Sequence, residues 1–246
     1  MHASAWGETP QFELVYQLQI KSTTMKQPFK TDIETIRARA RERMRDGAVT
    51  HAYNADREQV IDVLNTVLAT ELVCVLRYKS HYFMAQGIHA APVAAEFLEH
   101  ANDEQQHADL VARRITQLGG VPNFDPAGLA TRSHADYAQG STLREMIVED
   151  LIAERIAIET YLEIVRWLGD DDPTTRRMME ELLQAEEDHA DDLANILGTI
   201  DEADAASHDA TRETEHQGHR ADARAEAGRR HEPKNGGDGR NDEKYQ

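Results

Sequence analysis

Two short strings in this chain have the residue types and the spacing that bind metal ions. Each is a glutamate followed three positions later by a histidine: Glu104–His107 and Glu186–His189. On an α-helix, residues three apart lie side by side, so each string directs a carboxylate and an imidazole toward one point. The spacing alone is weak, because the chain has 45 acidic residues and 12 histidines, and a third copy occurs at Glu213–His216. The surroundings of each string must therefore separate a site from a chance match.

Both strings, together with Glu71 and Glu154, lie in the middle of apolar stripes that have helical spacing. The stripes contain Leu64, Leu68, Val75 and Tyr78 around Glu71; Phe97 and Val111 around the first string; Ile147, Ala157, Ile158 and Tyr161 around Glu154; and Met179, Leu182 and Leu193 around the second string. The copy at Glu213–His216 has no such stripe. Burying an unpaired carboxylate costs on the order of several kcal/mol. Four converging carboxylates therefore predict compensating cations, and two divalent metal ions would neutralise them.

Four long helices must position these residues. We expect them at about Asp56–Ala85, Pro92–Leu118, Thr142–Leu168 and Pro173–Leu197, with glycines at or near their ends and a Thr142 capping box. The connections within the first and second pairs are short, so each pair predicts an antiparallel hairpin. The middle connection, about residues 119–141, is long enough to cross the length of a bundle. The fold class predicted is all-α, an antiparallel four-helix bundle with a long crossover between helices two and three.

The remaining segments divide the chain into four parts. Residues 1–30 are expected to be a flexible extension and residues 31–50 a short helix, with Thr31 and Glu34 as a capping box over residues 31–46. Residues 51–200 form the predicted bundle. Residues 201–246 contain no Val, Ile, Leu, Met, Phe or Trp, so they cannot bury a core and are expected to be a disordered polar tail.

Composition narrows the classes of function. A formal net charge of -18 argues against a general affinity for nucleic acid or anionic membranes and favours attraction of cations. The single cysteine, Cys74, excludes an internal disulfide and any cysteine-rich metal site. Neither a membrane-spanning apolar run nor a basic start followed by an apolar run is recognised, so we expect no membrane anchor, no secretory signal and a cytoplasmic location.

The order of the four elements is that of a known family. One Glu from each of two helices, and a Glu-x-x-His from each of the other two, is the pattern of the ferritin-like di-iron carboxylate bundles. Residues 57–197 most resemble bacterioferritin. The resemblance is carried by Leu64-Asn65, Glu71-Leu72-Val73, Tyr78, Asp103–Asp109, Val121-Pro122-Asn123 and Glu186–His189.

The resemblance implies a role for each of the six residues. They divide as Glu71 with His107 on one metal, Glu154 with His189 on the other, and Glu104 with Glu186 as bridges between the metals. Tyr78 would be a neighbour of the ligands. The activity implied is a ferroxidase that oxidises Fe(II) with O2 or hydrogen peroxide and stores ferric oxide within a homo-oligomeric shell.

One position departs from the haem-binding bacterioferritins. Those proteins have a methionine directly after the Glu of the second helix's Glu-x-x-His, whereas this chain has Gln105. We therefore predict that the chain does not bind haem in that way.

Three alternatives stay open at this stage. The same six ligands would serve another di-metal redox enzyme, such as a manganese catalase or a small di-iron oxidase. A Dps-like shell that protects DNA through the arginine-rich residues 21–46 is the second; the acidic body of the chain disfavours it. The third is an inert structural bundle whose acidic residues are all solvated, which failure to bind metal would favour.

Overall fold

The computed structural model describes residues 30–88 and 90–229, with side chains as far as residue 206. The chain divides into two compact units, residues 1–45 and 46–246. The expected N-terminal extension lies outside the described residues except for Lys30. Its predicted flexibility stays a prediction.

In the first unit, a short helix α1 spans Ile33–Arg39. Its N-cap is Asp32, whose carboxylate accepts hydrogen bonds from the backbone N–H and the hydroxyl of Thr35. The predicted cap at Thr31 is therefore wrong by one residue, and the carboxylate of Asp32 makes the capping bonds instead. The predicted extent of 31–46 is also too long, because the helix ends at Arg39 and only a 3-10 turn follows, at Met44–Asp46.

The described part of the second unit contains five helices: α2 at Arg57–Met84, α3 at Ala90–Gln117, α4 at Leu129–Arg132, α5 at Leu143–Leu168 and α6 at Pro173–Arg229. The closest packing is between α2 and α3 and between α5 and α6, so each long pair is a hairpin. The stretch from α3 to α5 is the long connection, and it includes the one-turn helix α4. The predicted all-α four-helix bundle is confirmed, and the described residues contain no strand.

Local capping explains where the helices begin. Asp56 caps α2 by accepting from the backbone N–H groups of Glu58 and Gln59. Thr142 and Glu145 form the predicted capping box at the start of α5, with both reciprocal hydrogen bonds present. The ends of α2, α3 and α5 and the starts of all four long helices lie within two residues of those predicted.

The end of α6 differs from the prediction. We expected it near Leu197, with Gly198 as the terminator, but the helix continues through Gly198 to Arg229. A glycine inside a helix costs about 1 kcal/mol, which weakens the helix without ending it, and Gly198 does not have the positive φ of a helix terminator. The residues beyond are rich in Ala, Glu and Arg, which are strong helix formers. Residues 201–229, expected to be disordered, are therefore helical in the structure.

Two apolar clusters lie along the bundle and leave a polar layer between them. One cluster includes Leu64, Leu68, Val111, Ile115, Tyr161, Met179 and Leu182. The other includes Tyr78, Phe97, Ala101, Ile147 and Leu193. Along each long helix, the predicted site residues lie between members of the two clusters.

Among the described helices, α2 alone is long and apolar enough to span a membrane, with a mean hydropathy of 1.6 over its most apolar window. That window is 56% buried inside the bundle, and the helix carries Glu71 and Arg77, each 1% exposed. These features are those of a core helix.

A buried ion-pair cluster joins α2 to α5. Arg77 Nε donates to Asp150 Oδ1 at 2.7 Å, and His81 Nδ1 lies 2.7 Å from Asp150 Oδ2. Arg77 Nη1 also donates to the carbonyl of Asp136, at 3.1 Å, in the long connection. The side chains of Arg77, His81 and Asp150 are at most 1% exposed. We call these three residues the structural ion cluster; the sequence analysis did not single them out.

Candidate metal centre

All six predicted residues converge in the polar layer of the bundle. The four carboxylates are at most 1% exposed, and His107 and His189 are 9% and 6% exposed. They form two groups in which one ligand atom from each residue lies within 4.8 Å of the others: Glu71, Glu104, His107 and Glu186; and Glu104, Glu154, Glu186 and His189. Glu104 and Glu186 belong to both groups. Two groups that share two members are what two adjacent metal positions with shared ligands would require.

Both imidazole rings direct Nδ1 at the carboxylates. His107 Nδ1 lies 3.3 Å from Glu104 Oε2, 3.3 Å from Glu186 Oε1 and 3.6 Å from Glu71 Oε2. His189 Nδ1 lies 3.4 Å from Glu186 Oε2 and 3.5 Å from Glu104 Oε1. Each histidine therefore faces carboxylates from its own helix and from other helices.

Several of these buried atoms lack a hydrogen-bond partner among the described residues. They are Glu104 Oε1, Glu154 Oε2, both carboxylate oxygens of Glu186, and His189 Nδ1. A buried polar atom left unpaired costs about 1–3 kcal/mol. Carboxylate oxygens with imidazole nitrogens are ligands that suit iron and manganese. The residues present therefore fit a pair of divalent metal ions.

Two tyrosines occupy equivalent positions in the two halves of the centre. Tyr161 of α5 donates to Glu71 of α2, with an O–O distance of 2.5 Å, and Tyr78 of α2 donates to Glu154 of α5. Each tyrosine follows the glutamate of its own helix by seven residues, so the arrangement is approximately two-fold symmetric. We expected Tyr78 beside the ligands but placed Tyr161 only in an apolar stripe. The equal spacing from Glu154 was the pattern that would have revealed its hydrogen bond.

Without metal, the centre holds protons. Burial and the charge of Glu104 raise the pKa of Glu71 to about 8, and burial with neighbouring carboxylates raises the pKa of Glu154 well above its usual range. Burial also acts to raise the pKa of Glu104, but hydrogen bonds with its neighbours lower it below the usual value. Burial opposes the charged form of His189, yet its contacts with Glu104 and a second carboxylate raise its pKa to about 11, and the pKa of His107 is raised for a similar reason. Protons and cations therefore compete for the same atoms.

Sequence reasoning missed His100, which is 2% exposed. Its ring stacks on His189 with centroids 4.1 Å apart, and its Nδ1 lies 3.2 Å from the Tyr78 hydroxyl. Burial and the nearby His189 lower the pKa of His100 to about 3. His100 precedes Glu104 by four residues, a helical spacing that would have placed it on the same face.

Two other polar residues lie at the edge of the centre: Asp103 directly precedes the first string, and Gln105 lies within it. Asp103, expected to be solvated, is 41% exposed in its side chain, but its Oδ2 lies 3.8 Å from His189 Nε2. Gln105 is exposed and donates to Asp109 at 3.1 Å. The absence of haem stays a prediction, which Soret absorbance after haem supply would test; stoichiometric binding would contradict it.

Comparison with known proteins identifies the domain. The ferritin-like domain profile matches residues 61–203. The bacterioferritin BfrA of Mycobacterium tuberculosis is 29% identical over 143 residues, which are 58% of this chain and 86% of that protein. The DNA protection during starvation protein of Halobacterium salinarum is 29% identical over 149 residues, covering 58% of this chain and 81% of that protein.

Comparison with solved structures also indicates a ferritin-like fold. A dodecameric thioferritin, described as the bacterioferritin-related protein of Bacteroides fragilis, superposes with a TM-score of 0.60 at 31% identity, covering 62% of this chain and 92% of its own. The bacterioferritin of Rhodobacter capsulatus, described with a metal-free dinuclear site and haem iron, gives a TM-score of 0.53 at 27% identity, covering 59% and 87%.

Proposed function

Because the chain belongs to the ferritin-like domain family and its bacterioferritin relatives indicate iron storage and ferroxidase-type chemistry, we propose that the chain is a ferroxidase. Its substrate is Fe(II), bound as two ions per subunit, and its oxidant is O2 or hydrogen peroxide. The observation that carries the proposal is the pair of four-residue groups that share Glu104 and Glu186. The ferric product would be stored as a mineral.

The proposed roles follow the two groups. Glu71 and His107 hold one ion, Glu154 and His189 hold the other, and Glu104 with Glu186 bridges them. Four carboxylates balance the four positive charges of two Fe(II) ions, so the buried layer becomes neutral when it is filled. Two Fe(II) ions side by side, about 3.5–4 Å apart as in other two-metal sites, supply two electrons to one oxidant.

The protein contributes orientation, proton release and exclusion of water. Tyr161 and Tyr78 each hold one oxygen of Glu71 and Glu154, which leaves the other oxygen for a metal ion. The protons on Glu71, Glu154 and the two site histidines leave as cations arrive. The two apolar clusters close the layer above and below, so solvent does not compete for the ligands along the bundle axis.

Storage of a mineral requires a closed container. We propose a homo-oligomeric shell, supported by the Bacteroides fragilis relative, which is described as dodecameric. The expected cytoplasmic location belongs to the same proposal. Size-exclusion chromatography with light scattering would test the shell, and a monomer in iron-loaded protein would contradict it.

The experiment that tests the activity compares two adjacent glutamates. Glu186 is 1% exposed, whereas Glu187 is exposed and belongs to neither group. In stopped-flow assays of Fe(II) oxidation, Glu186→Ala should reduce the rate by about 100-fold or more, because a bridge between the ions is lost. Glu187→Ala should change the rate by less than about twofold. Wild-type rates in Glu186→Ala would reject the site.

The alternatives remain distinguishable. The Halobacterium salinarum relative's name supports a second proposal, a DNA-protecting shell, which a salt-dependent gel shift that is lost on deleting residues 1–46 would establish. The same ligands also suit manganese. Metal analysis with a peroxide disproportionation assay separates a manganese catalase from a ferroxidase.

A further inference from the structure

A third group of ligand atoms lies beside the dinuclear centre, and it contains none of its six residues. One ligand atom from each of Glu96, His100 and Asp192 lies within 4.8 Å of the other two. We call these three residues the outer triad. His100 is 2% exposed, the Glu96 side chain is 30% exposed, and Asp192 is exposed. The triad therefore runs from a buried imidazole to carboxylates in contact with solvent.

The approximate two-fold symmetry of the centre shows that the outer triad is present on one side only. Glu96 and His100 precede Glu104 by eight and four residues, and the same offsets before Glu186 fall on the apolar residues Met178 and Leu182. Asp192 follows His189 by three residues, and the residue three after His107 is Leu110. Three ligand residues on one side thus correspond to three apolar residues on the other. The difference is a property of this sequence and not a general consequence of the bundle.

One nitrogen of His100 faces the outer triad. His100 Nδ1 lies 3.2 Å from the Tyr78 hydroxyl, and His100 Nε2 lies 3.3 Å from Glu96 Oε1. The imidazole therefore contacts Tyr78 through one nitrogen and a carboxylate of the triad through the other. An imidazole nitrogen with two carboxylate oxygens is a set of ligands that binds divalent cations.

The outer triad is also connected to the dinuclear centre. His100, Glu154 and His189 form another group with ligand atoms within 4.8 Å of one another, and all three are buried. His100 therefore belongs both to the outer triad and to a group with two proposed ligands of one metal position. A cation leaving the triad meets the next set of ligand atoms without crossing an apolar layer.

We propose that Glu96, His100 and Asp192 bind a third divalent cation, with His100 Nε2 and two carboxylate oxygens as ligands. During iron oxidation this cation is Fe(II), and the triad delivers it to the metal position formed by Glu154 and His189. The delivery step rests on the proposed ferroxidase function; the binding of a cation by the triad does not. The two carboxylates neutralise the charge of a divalent ion, and mixed nitrogen and oxygen ligands suit Fe(II), Co(II) and Zn(II).

The test counts Co(II) bound per subunit by equilibrium dialysis of the full-length chain, with Asp192→Asn and Asp191→Asn as a matched pair. Both substitutions remove one carboxylate from neighbouring exposed positions of α6, but Asp191 belongs to none of the ligand groups among the described residues. We expect Asp191→Asn to bind as many Co(II) ions as the wild type and Asp192→Asn to bind one fewer. Equal counts for the two variants would overturn the proposal. His100→Leu, which copies the apolar side, should also bind one fewer ion.

A kinetic measurement tests delivery. At sub-saturating Fe(II), Asp192→Asn should oxidise iron roughly tenfold more slowly than Asp191→Asn, while both oxidise two Fe(II) ions per subunit in the first turnover when Fe(II) is saturating. Equal rates would reject delivery. A failure of the proposed ferroxidase function would give another result. Glu186→Ala would then keep the wild-type oxidation rate, whatever number of Co(II) ions the Asp192 and Asp191 variants bind.

Discussion

Two buried clusters of charged residues join α2 to α5, and they differ in how the charge of their buried carboxylates is compensated. In the structural ion cluster, the Asp150 carboxylate lies 2.7 Å from the guanidinium of Arg77 and 2.7 Å from His81 Nδ1. In the metal centre, four carboxylates face two histidines, and five of their polar atoms have no hydrogen-bond partner among the described residues. Asp150 and Glu154 are one turn apart on the same helix and are both fully buried. Burial alone therefore does not identify a metal ligand; the difference is that the Asp150 carboxylate has a guanidinium partner inside the protein, whereas both carboxylate oxygens of Glu186 have no hydrogen-bond partner among the described residues.

The largest expected effect comes from replacing the two α5 carboxylates by amides in metal-free protein. Asp150→Asn leaves the buried guanidinium of Arg77 without its counter-charge, which should lower the free energy of unfolding by about 3–5 kcal/mol. Glu154→Gln should change it by less than about 1 kcal/mol, because burial raises the pKa of Glu154 well above its usual range and so favours the protonated carboxyl, which an amide resembles. Urea denaturation with a chelator present measures both.

The wild-type protein at the same subunit concentration is the control for this pair. Equal destabilisation by the two substitutions would show that Glu154 is a structural acid like Asp150, and the contrast between the clusters would be lost.

A smaller effect is expected on adding metal. At a free Zn(II) concentration 100 times the dissociation constant, the metal centre should stabilise the wild-type protein by about 2.7 kcal/mol. Glu154→Gln should lose most of this gain, since an amide is a poorer ligand than a carboxylate. Repeating the denaturation with Zn(II) in place of the chelator measures the difference. A full gain in Glu154→Gln would exclude Glu154 as a ligand.

The smallest effect is on pH dependence. Glu71, with a pKa of about 8, and His189, with a pKa of about 11, are both protonated at pH 7 in metal-free protein. A metal ion requires the deprotonated forms, so binding releases protons and the affinity should rise with pH, by about tenfold per pH unit for each proton released. The dependence should weaken above pH 8, where Glu71 has lost its proton before the metal binds. Zn(II) titration in lightly buffered solution with a pH indicator counts the protons; an affinity that is independent of pH between 6 and 8 would contradict these pKa directions.

The helical periodicity of apolar residues in the sequence was sufficient to predict the long helices and the buried positions along them. Apolar stripes at helical spacing predicted four helices and the burial of Glu71 and Glu154, and the structure agrees to within two residues at most boundaries. The end of α6 was not predictable in this way, because Gly198 is tolerated inside the helix and the residues beyond need no core to remain helical. Helix propensity alone, without tertiary packing, can keep a segment helical, and the last part of α6 is such a segment.

Pairing across helices was harder to predict than burial. The bonds from Arg77 to Asp150 and from Tyr161 to Glu71 join residues 73 and 90 positions apart, and periodicity along one helix does not reveal the register between two. His100 was missed for another reason: it lies outside the Glu-x-x-His string, so that spacing does not predict it.

The central claim is that Glu104 and Glu186 bridge two metal ions. Crystals soaked anaerobically in Fe(II), with diffraction data collected on both sides of the iron absorption edge, test it most directly. The result expected is two anomalous peaks per subunit, about 3.5–4 Å apart, each within bonding distance of both Glu104 and Glu186. A single peak in this layer, or a pair of peaks that Glu104 and Glu186 do not join, would contradict it.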